Sequence, residues 1–426
     1  MTDTNAIGFA GLSHLGIVYS AAAIARGFPV IAYDGRAGLA EDLSQGRFPI
    51  KEPGLEELVQ AHRERIRYTA DADELARCGL IFFALDVQTD ASNHSDLGPL
   101  EALIESVAAR AADGTVLVVM SQVPPGFCRK LQARLGPRLA LYYQVETLVF
   151  GNAVERAVRP ERYMVGCACP DRAVPEIYER FLQAFECPVL PMRYESAELC
   201  KIAINCFLVS SVSTANTLAE ICEKSGADWA EIVPALRLDR RIGPHAYLKP
   251  GLGIAGGNLE RDLVTVQKLA AEHGCDARVV TACQQNSAYC RDWVLRRLFR
   301  LGLLADPAGV VFGMWGLAYK PDTHSTKNSP AVALLRSLPA YRWQAYDPVA
   351  QIEASAFPCV RLCASPLEAV QDAAALVVMT PWKHFAGVDL QALRRAMGGN
   401  EILDPYGALD GQRCRDLGFH YHQLGA

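Results

Sequence analysis

The sequence has no excess of positive charge and no evident targeting segment. It carries 42 Lys and Arg against 47 Asp and Glu, a formal net charge of -5. Without a basic field, nucleic acid and anionic membrane surfaces are not expected as partners, although a local basic pocket is still allowed. The first residues lack a basic region followed by an apolar secretory core, and no apolar run approaches the roughly 18 residues of a membrane span. We therefore expect a cytoplasmic protein without a membrane partner.

Cysteine pairs at metal-ligand spacing are also missing. The fourteen cysteines are scattered, mostly inside apolar segments. The one close pair, Cys167 and Cys169, has no second pair to complete a metal site. We expect free thiols, with no metal and no disulfide framework. What is present is an ordinary globular composition, 50% hydrophobic and 21% charged, in 426 residues. A chain of this length predicts two or three domains.

A strand-turn-helix-strand pattern opens the chain. A strand breaks into a turn at Gly11, a helix follows Gly16, and a second strand ends at Asp34, 18 residues further on. Gly11 permits the tight turn and Gly16 lets the helix pack on the sheet, so amides at the helix start can face a pyrophosphate. Asp34 can accept hydrogen bonds from a ribose diol and would repel a 2′-phosphate, which favours NAD over NADP. Ser13 replaces the middle glycine of this fingerprint.

Apolar strand candidates alternate with helical stretches through the rest of the chain. The clearest candidates are residues 80–85, 115–120, 309–320, 343–348, 375–382 and 401–404. A long helical pattern covers residues 195–223 and separates the first group from the second. The alternation predicts an α/β protein with two Rossmann-like, doubly wound parallel-sheet domains bridged by a long central helix.

The central helix carries an apolar stripe and two notable polar residues. Lys201 and Asn205 are four positions apart and share a helical face, so they could line a polar pocket with the glycine-rich loop at residues 250–262. The alternative is that both are solvated on a surface helix. Glu146 is either a candidate acid or base or a structural ion-pair partner. The stripe expected to be buried consists of Leu199, Ile202, Cys206, Val209, Ser213, Leu218 and Ile221.

Together these motifs resemble the UDP-glucose/GDP-mannose dehydrogenase family over nearly the whole chain. The likeness rests on the N-terminal fingerprint and, in order, on Glu-Pro-Gly-Leu at 52–55, Pro-Pro-Gly at 124–126, Glu146, Lys201 with Asn205, Arg-Ile-Gly at 241–243, the loop ending in Asp262, Gly-Leu-Ala-Tyr-Lys-Pro at 316–321, Ser-Pro at 329–330 and Tyr-Asp-Pro at 346–348. The resemblance implies oxidation of the primary alcohol of a nucleotide sugar to a carboxylate, in two hydride transfers to NAD, by a homodimer.

The resemblance also implies domain limits and site residues. The domains would be residues 1–193 for NAD, 194–305 for the central helices, dimerisation and a substrate loop, and 306–426 for the nucleotide sugar. The implied catalytic positions are Lys201, Asn205, Asp262, Glu146 and Asn258. The implied NAD-binding residues are Gly11, Ser13, Leu15, Gly16, Asp34, Ser121 and Lys327. The implied substrate-binding residues are Lys201, Asn205, Arg241 from a partner subunit, Tyr247, Gly253, Gly256 and Lys320. Lys201 and Asn205 would stabilise negative charge on oxygen, and Asp262 would help a water or Lys201 take the alcohol proton.

One departure from the family falls on the chemistry. The family's loop carries a cysteine nucleophile four residues before its aspartate, and here that position is Asn258. An amide cannot attack an aldehyde to give the thiohemiacetal from which a second hydride leaves. The other positions that differ from the family are Val87, Gln122, Phe150 and Lys327.

Three hypotheses follow from this departure. In the first, the protein removes a single hydride and yields an aldehyde or ketone, or an epimer if the hydride returns to the other face. In the second, a hydrated aldehyde allows full oxidation to a uronic acid without the cysteine. In the third, the chain is a non-catalytic homologue that binds a nucleotide sugar. A UDP-sugar fits by resemblance, whereas no residue excludes GDP or CDP.

Overall fold

The computed structural model describes residues 6–90 and 94–426. The chain divides into two compact units, residues 1–204 and 205–426. In the described part of the first unit, the strands of the central sheet are β1 (Ile7–Ala10), β2 (Val30–Tyr33), β3 (Ile66–Thr69), β4 (Leu80–Phe83), β5 (Val116–Val119), β6 (Ala140–Gln144), β7 (Tyr163–Cys167) and β8 (Val189–Arg193).

These eight strands form one mixed sheet in the order β3-β2-β1-β4-β5-β6-β7-β8. All neighbours are parallel except β6 and β7, which run antiparallel. β1, β4 and β5 are buried along their whole length, because helices on both faces cover a parallel sheet and its strands must then be apolar throughout.

Helices connect the strands of the first unit. Among its described residues, the α-helices between these strands are α1 (His14–Ala25), α2 (Ala37–Ser44), α3 (Leu55–Ala61), α4 (Gly98–Ala108), α5 (Phe127–Leu135), α6 (Ala153–Val158) and α7 (Glu176–Gln183). β1, α1 and β2 follow one another as expected, and Asp34 comes immediately after β2. The strand-turn-helix-strand prediction is therefore confirmed.

Helix α8 (Tyr194–Ser225) follows β8 directly and is 32 residues long, close to the expected 195–223. The predicted stripe is only partly right. Its buried members are Ile202, Val209 and Ser213, while its exposed members are Leu199, Leu218 and Ile221. Polar residues occupy part of the buried face instead, namely Glu198, Asn205 and Asn216. Each of these bonds a group distant in sequence, so a buried polar residue here is a paired one.

By length and composition alone, α8 is also apolar enough to cross a membrane, which the sequence was not expected to contain. It is the one helix among residues 6–90 and 94–426 that meets this criterion. The central helix of a soluble protein meets the same criterion, so the finding carries little weight by itself.

The second unit begins with the rest of α8 and continues through α9 (Trp229–Leu238), α10 (Asn258–His273), α11 (Arg278–Arg291) and α12 (Trp293–Arg300). Asp292 separates α11 from α12. Its amide donates to the Tyr289 carbonyl at 3.3 Å, and its carbonyl accepts from the Arg296 amide at 3.0 Å. Asp292 thus ends one helix and starts the next.

A six-stranded, fully parallel sheet completes the second unit. Its strands are β9 (Val311–Trp315), β10 (Arg342–Tyr346), β11 (Val360–Leu362), β12 (Ala375–Val378), β13 (Glu401–Leu403) and β14 (His420–His422). They lie in the order β11-β10-β9-β12-β13-β14. The α-helices between them are α13 (Pro330–Ser337), α14 (Leu390–Ala396) and α15 (Gly411–Asp416). Two sheet-centred α/β units joined along the chain by a long helix confirm the predicted fold class.

Each unit packs its apolar core against its own sheet. The fourteen cysteines all belong to the described residues, and all are free thiols. The expectation of free thiols is confirmed.

Candidate functional site

The turn between β1 and α1 has the geometry of a dinucleotide-binding turn. A Cβ added at Gly16 would lie 1.9 Å from the Gly11 carbonyl oxygen, so only glycine allows this close approach. Ser13 ties the turn to the end of β4, because its hydroxyl donates to the Ala84 carbonyl at 3.1 Å and accepts from the Asp86 amide at 2.9 Å. A hydroxyl has thus taken the place of the middle glycine without opening the turn.

Asp34 lies at the carboxyl end of β2, beside this turn. It is buried and accepts a hydrogen bond from the Leu12 amide at 2.9 Å. Arg36 adds an ion pair at 2.8 Å. Burial would raise the pKa of Asp34, but the hydrogen bonds from Arg36 and Leu12 outweigh it and lower the pKa below the ordinary aspartate value.

A cavity of about 440 Å³ extends from the turn to Asp34 and Arg36. Leu15, behind it on α1, is buried. The first turn of α1 carries no acidic side chain, and no side chain caps its N-terminus, so the helix-terminal amides can receive a pyrophosphate. The close turn, the cavity and the acid after β2 fit an adenine dinucleotide.

Lys201 and Glu146 form a half-buried ion pair in the first unit. The Lys201 ammonium lies 2.8 Å from the Glu146 carboxylate and donates to the Glu146 carbonyl oxygen at 3.1 Å. The Leu148 amide holds the other carboxylate oxygen at 2.9 Å. Lys201 is therefore not a solvated surface lysine. Its side chain extends from α8, and its ammonium is held by Glu146, which lies in the short loop after β6.

Asn205 and Asp262 form a second polar pair, in the second unit. Both are buried, and the Asn205 amide nitrogen donates to Asp262 Oδ2 at 2.5 Å. Arg261 approaches the other carboxylate oxygen at 3.4 Å. The pair joins α8 to the first turns of α10. The interpretation of Asn205 as a solvated surface residue is therefore wrong.

The glycine-rich loop before α10 packs tightly against its surroundings. Gly256 has φ +98°, and an added Cβ would lie 2.4 Å from the Tyr319 ring. At Gly253 an added Cβ would meet the Ser287 carbonyl at 2.5 Å, and the next amide, of Ile254, donates to the Ser287 hydroxyl at 2.8 Å. The loop backbone is consequently held in one shape by α11 and by residue 319.

Asn258 is exposed and is the first residue of α10. The Lys327 side chain lies over the preceding Gly257, where an added Cβ would be 3.1 Å from Lys327 Cε. Lys320 is half-buried, with its ammonium 5.9 Å from the centre of the Tyr319 ring. Lys327 and Asn258 therefore lie together with the loop glycines at the start of α10.

Other predicted positions have contacts that define their surroundings. Ser121 is fully buried, and its hydroxyl donates to the Phe83 carbonyl at 3.5 Å. Arg241 is exposed and pairs with Asp239 at 2.6 Å. Tyr247 is exposed. Their roles in binding stay predictions.

Of the positions that depart from the family pattern, Phe150 has the clearest contact. Its ring centre lies 4.2 Å from that of His14. Gln122 and Val87 are half-buried, and Val87 packs against the apolar core of the first unit.

Two buried carboxylates near these residues were missed as site residues. Glu52 accepts from His14 Nε2 at 2.8 Å and from the Gly151 amide at 3.0 Å. Glu198, one turn before Lys201, accepts from the Gly126 amide at 2.6 Å and the Cys128 amide at 2.7 Å. Burial raises the pKa of Glu198. Two sequence signals could have identified them: Glu52 directly precedes a Pro-Gly motif, and Glu198 lies on an otherwise apolar helix face.

Three family models match the chain in order. They describe the NAD binding domain (residues 5–182), the central domain (residues 195–288) and the UDP binding domain (residues 313–411) of the UDP-glucose/GDP-mannose dehydrogenase family. A UDP-glucose 6-dehydrogenase from Pseudomonas aeruginosa is 30% identical over 438 residues, covering 97% of this chain and 96% of the relative.

Solved structures agree with these matches. A UDP-glucose dehydrogenase from Pyrobaculum islandicum superposes with a TM-score of 0.86 at 25% identity, over 100% of this chain and 98% of the other. A UDP-D-ManNAc dehydrogenase from Pyrococcus horikoshii gives a TM-score of 0.85 at 20% identity, over 99% of each chain, which supports the fold.

Proposed function

This chain belongs to the UDP-glucose/GDP-mannose dehydrogenase family, and from that membership we propose that it is a nucleotide-sugar dehydrogenase that removes a single hydride per sugar. It is an NAD-dependent oxidoreductase acting on a CH–OH group. The limit of one hydride is our inference, and the observation that carries it is Asn258. An exposed carboxamide stands at the start of α10, where the resemblance places a thiolate nucleophile.

Cys206 on α8 does not supply a reactive thiol. Cys206 adjoins Asn205 in the sequence and packs in the apolar cluster of Val209 and Leu263. Burial and the charge of Asp262 raise the pKa of the Cys206 thiol, which keeps it protonated and weakly nucleophilic. This supports a protein that cannot hold an aldehyde as a covalent adduct.

The polar pairs support a first oxidation step. Converting CH–OH to a carbonyl releases a proton from oxygen and a hydride from carbon, and NAD, when bound, accepts the hydride. We assign the proton to a water oriented by Asp262, and Lys201 stays the ammonium that is paired with Glu146. Lys201, held by Glu146, and Asn205, held by Asp262, would donate hydrogen bonds to the oxygen as negative charge develops there.

The nucleotide is proposed to be UDP. The match of residues 313–411 to a UDP binding domain supports this assignment, as do Lys320 and the glycine loop, which have the residue types that hold a diphosphate. Incubating the protein with UDP-, GDP- and CDP-sugars and NAD, and following NADH, tests the choice. Turnover with only a GDP- or CDP-sugar would contradict it.

The product test distinguishes the possible reactions. We expect one NADH per sugar and an aldehyde or ketone by mass spectrometry, or an epimer with no net NADH. A clean uronic acid with two NADH per sugar would refute the proposal and establish full oxidation by a cysteine-independent route.

Two variants sharpen this measurement. Asn258→Cys should increase acid formation, because it restores a nucleophile at the start of α10. Cys206→Ser is the matched control and should leave the product unchanged. If Asn258→Cys makes no more acid than the parent protein, the missing thiol is not the limiting feature. Loss of an acid product in Cys206→Ser would instead identify Cys206 as the nucleophile.

We further propose a cytoplasmic homodimer formed through α8. The support is a set of exposed apolar side chains on that helix, Leu199, Phe207, Leu218 and Ile221. Phe207 is 79% exposed, and a second subunit would bury it. Light scattering should show a dimer that Phe207→Glu dissociates, whereas Phe299→Glu on α12, 73% exposed, should leave it intact. Recovery of the protein in the membrane fraction of cells would contradict the cytoplasmic assignment.

A further inference from the structure

Asp34 has no free acceptor position for a ribose. Oδ1 accepts from the Arg36 amide at 3.1 Å and Arg36 Nε at 2.8 Å. Oδ2 accepts from the Leu12 amide at 2.9 Å and Arg36 Nη2 at 2.9 Å. A carboxylate offers about four lone-pair sites, and here all four are used. The hydroxyls of an adenosine ribose can therefore reach Asp34 only if the Arg36 side chain gives up its two bonds.

Arg36 also has donors to spare. Its side chain is 65% exposed, and Asp34 takes only the Nε and Nη2 ends of the guanidinium. The Nη1 group has no hydrogen-bond partner among the residues that the structure describes. A guanidinium fork fixed on one side by a carboxylate is preorganised for a phosphate on the other.

Near Asp34 and Arg36, where the adenosine ribose would lie, positive and negative charges balance each other. Arg36 immediately precedes α2, whose first turn carries no acidic side chain. The other acid lining the cavity is Asp86, which lies on the Ser13 side, where its amide bonds the Ser13 hydroxyl. At the ribose end the carboxylate of Asp34 is therefore met by one cation, and its repulsion of a 2′-phosphate is offset.

We propose that Arg36 is a cofactor-selecting residue that allows the first unit to bind NADP as well as NAD. The 2′-phosphate would bind the Nη1 side of Arg36 while the Asp34 ion pair stays intact. NAD, in contrast, would compete with Arg36 for Asp34. The residues of the turn and Asp34 predicted a preference for NAD, and Arg36 reduces that preference. The inference rests on the dinucleotide-binding unit and does not depend on how many hydrides the sugar loses.

The test is a binding titration of the full-length protein with NADH and with NADPH, followed by the fluorescence of the reduced nicotinamide, without a sugar substrate. The deciding quantity is the ratio of the two dissociation constants in the parent and in Arg36→Gln. Removing a charge-assisted hydrogen bond to a phosphate should weaken NADPH binding by about tenfold or more. NADH binding should become several-fold tighter, because Asp34 is released.

A matched control separates this effect from a general loss of surface charge. Arg67 on β3 is also exposed, at 67%, and pairs with Glu74 at 2.7 Å. Arg67→Gln should change neither constant. Arg36→Lys keeps the charge but loses the fork and should fall between the parent and Arg36→Gln. If Arg36→Gln shifts the NADPH-to-NADH ratio by less than about threefold, or if Arg67→Gln shifts it equally, the proposal is overturned.

Discussion

The two sheets place an aspartate at the same topological position but surround it differently. Asp34 follows β2 in the first unit, and Asp347 follows β10 in the second. Each accepts from the amide of the residue after a turn glycine: Leu12 at 2.9 Å in one case, Leu317 at 2.7 Å in the other. The same strand-turn-acid pattern therefore occurs in both units, and in each unit the acid accepts a hydrogen bond from the turn.

The remaining partners set the two acids apart. Asp34 is completed by the exposed side chain of Arg36, which can move away when a ligand arrives. Asp347 is completed by fixed groups: the Trp382 indole at 3.1 Å and the amides of Ala318, Val349 and Ala350 at 3.0, 2.9 and 2.7 Å. We infer that Asp347, whose remaining partners are fixed groups, serves the fold, whereas Asp34, completed by an exposed side chain, is available to a ligand.

The largest expected effect is on stability, at Asp347. Asp347→Ala leaves four amides and an indole without their acceptor, and we expect a loss of about 4 kcal/mol in the free energy of unfolding of the second unit. All five tryptophans, Trp229, Trp293, Trp315, Trp343 and Trp382, belong to residues 205–426. Their fluorescence during urea unfolding therefore reports on that unit.

Asp34→Ala is the control for this measurement, since Asp34 belongs to the first unit and should leave the tryptophan transition in place. A loss under about 1 kcal/mol in Asp347→Ala would mean that its hydrogen bonds are readily replaced by water. The two acids would then not differ in the way their surroundings suggest.

The second effect is on binding, at Asp34. Asp34→Ala removes the acceptor for the ribose diol, and we expect NADH to bind about tenfold to a hundredfold more weakly, as for the loss of charged hydrogen bonds. Asp347→Ala should bind NADH as the parent does under conditions where it is folded. Equal weakening in both variants would remove the distinction between a ligand-binding and a structural acid.

The shared pattern was visible in the sequence because its causes are local. Buried parallel strands are apolar runs, and the turns after β1 and β9 need glycine, so both sheets and the acid at 34 could be predicted. The buried face of α8 could not be predicted in this way, because Glu198 and Asn205 are buried against partners that lie far along the chain. The ion pair of Lys201 with Glu146 spans 55 positions in the same way.

Arg36 shows a different limit of prediction from the sequence. It is only two residues from Asp34, yet whether an exposed arginine turns back onto the acid or into solvent depends on the conformation of the loop. The family pattern identified the acid and its ligand. The structure identifies the group with which the ligand must compete.

The smallest expected effect is a change in stability with pH, and it concerns a third acid, which is buried. Asp404 follows β13, is fully buried and accepts from the Leu409 amide at 2.9 Å and the Tyr421 hydroxyl at 2.7 Å. Burial raises the pKa of Asp404. Between the ordinary aspartate pKa of about 3.9 and this higher value, the folded protein keeps a proton that the unfolded chain releases. The contribution of Asp404 to stability therefore falls as the pH rises through that window.

Tyr421→Phe tests this sign, because the Tyr421 hydroxyl stabilises the ionised form of Asp404. The variant should lose about 1.5 kcal/mol at pH 7 and clearly less near pH 4, where a protonated Asp404 needs no charged hydrogen bond. Urea unfolding followed by tryptophan fluorescence at both pH values measures the difference. Tyr341→Phe, at a buried tyrosine of the same unit, should show the same change at both. A loss in Tyr421→Phe that does not depend on pH would mean that Asp404 keeps one charge state over this range, and would contradict the prediction.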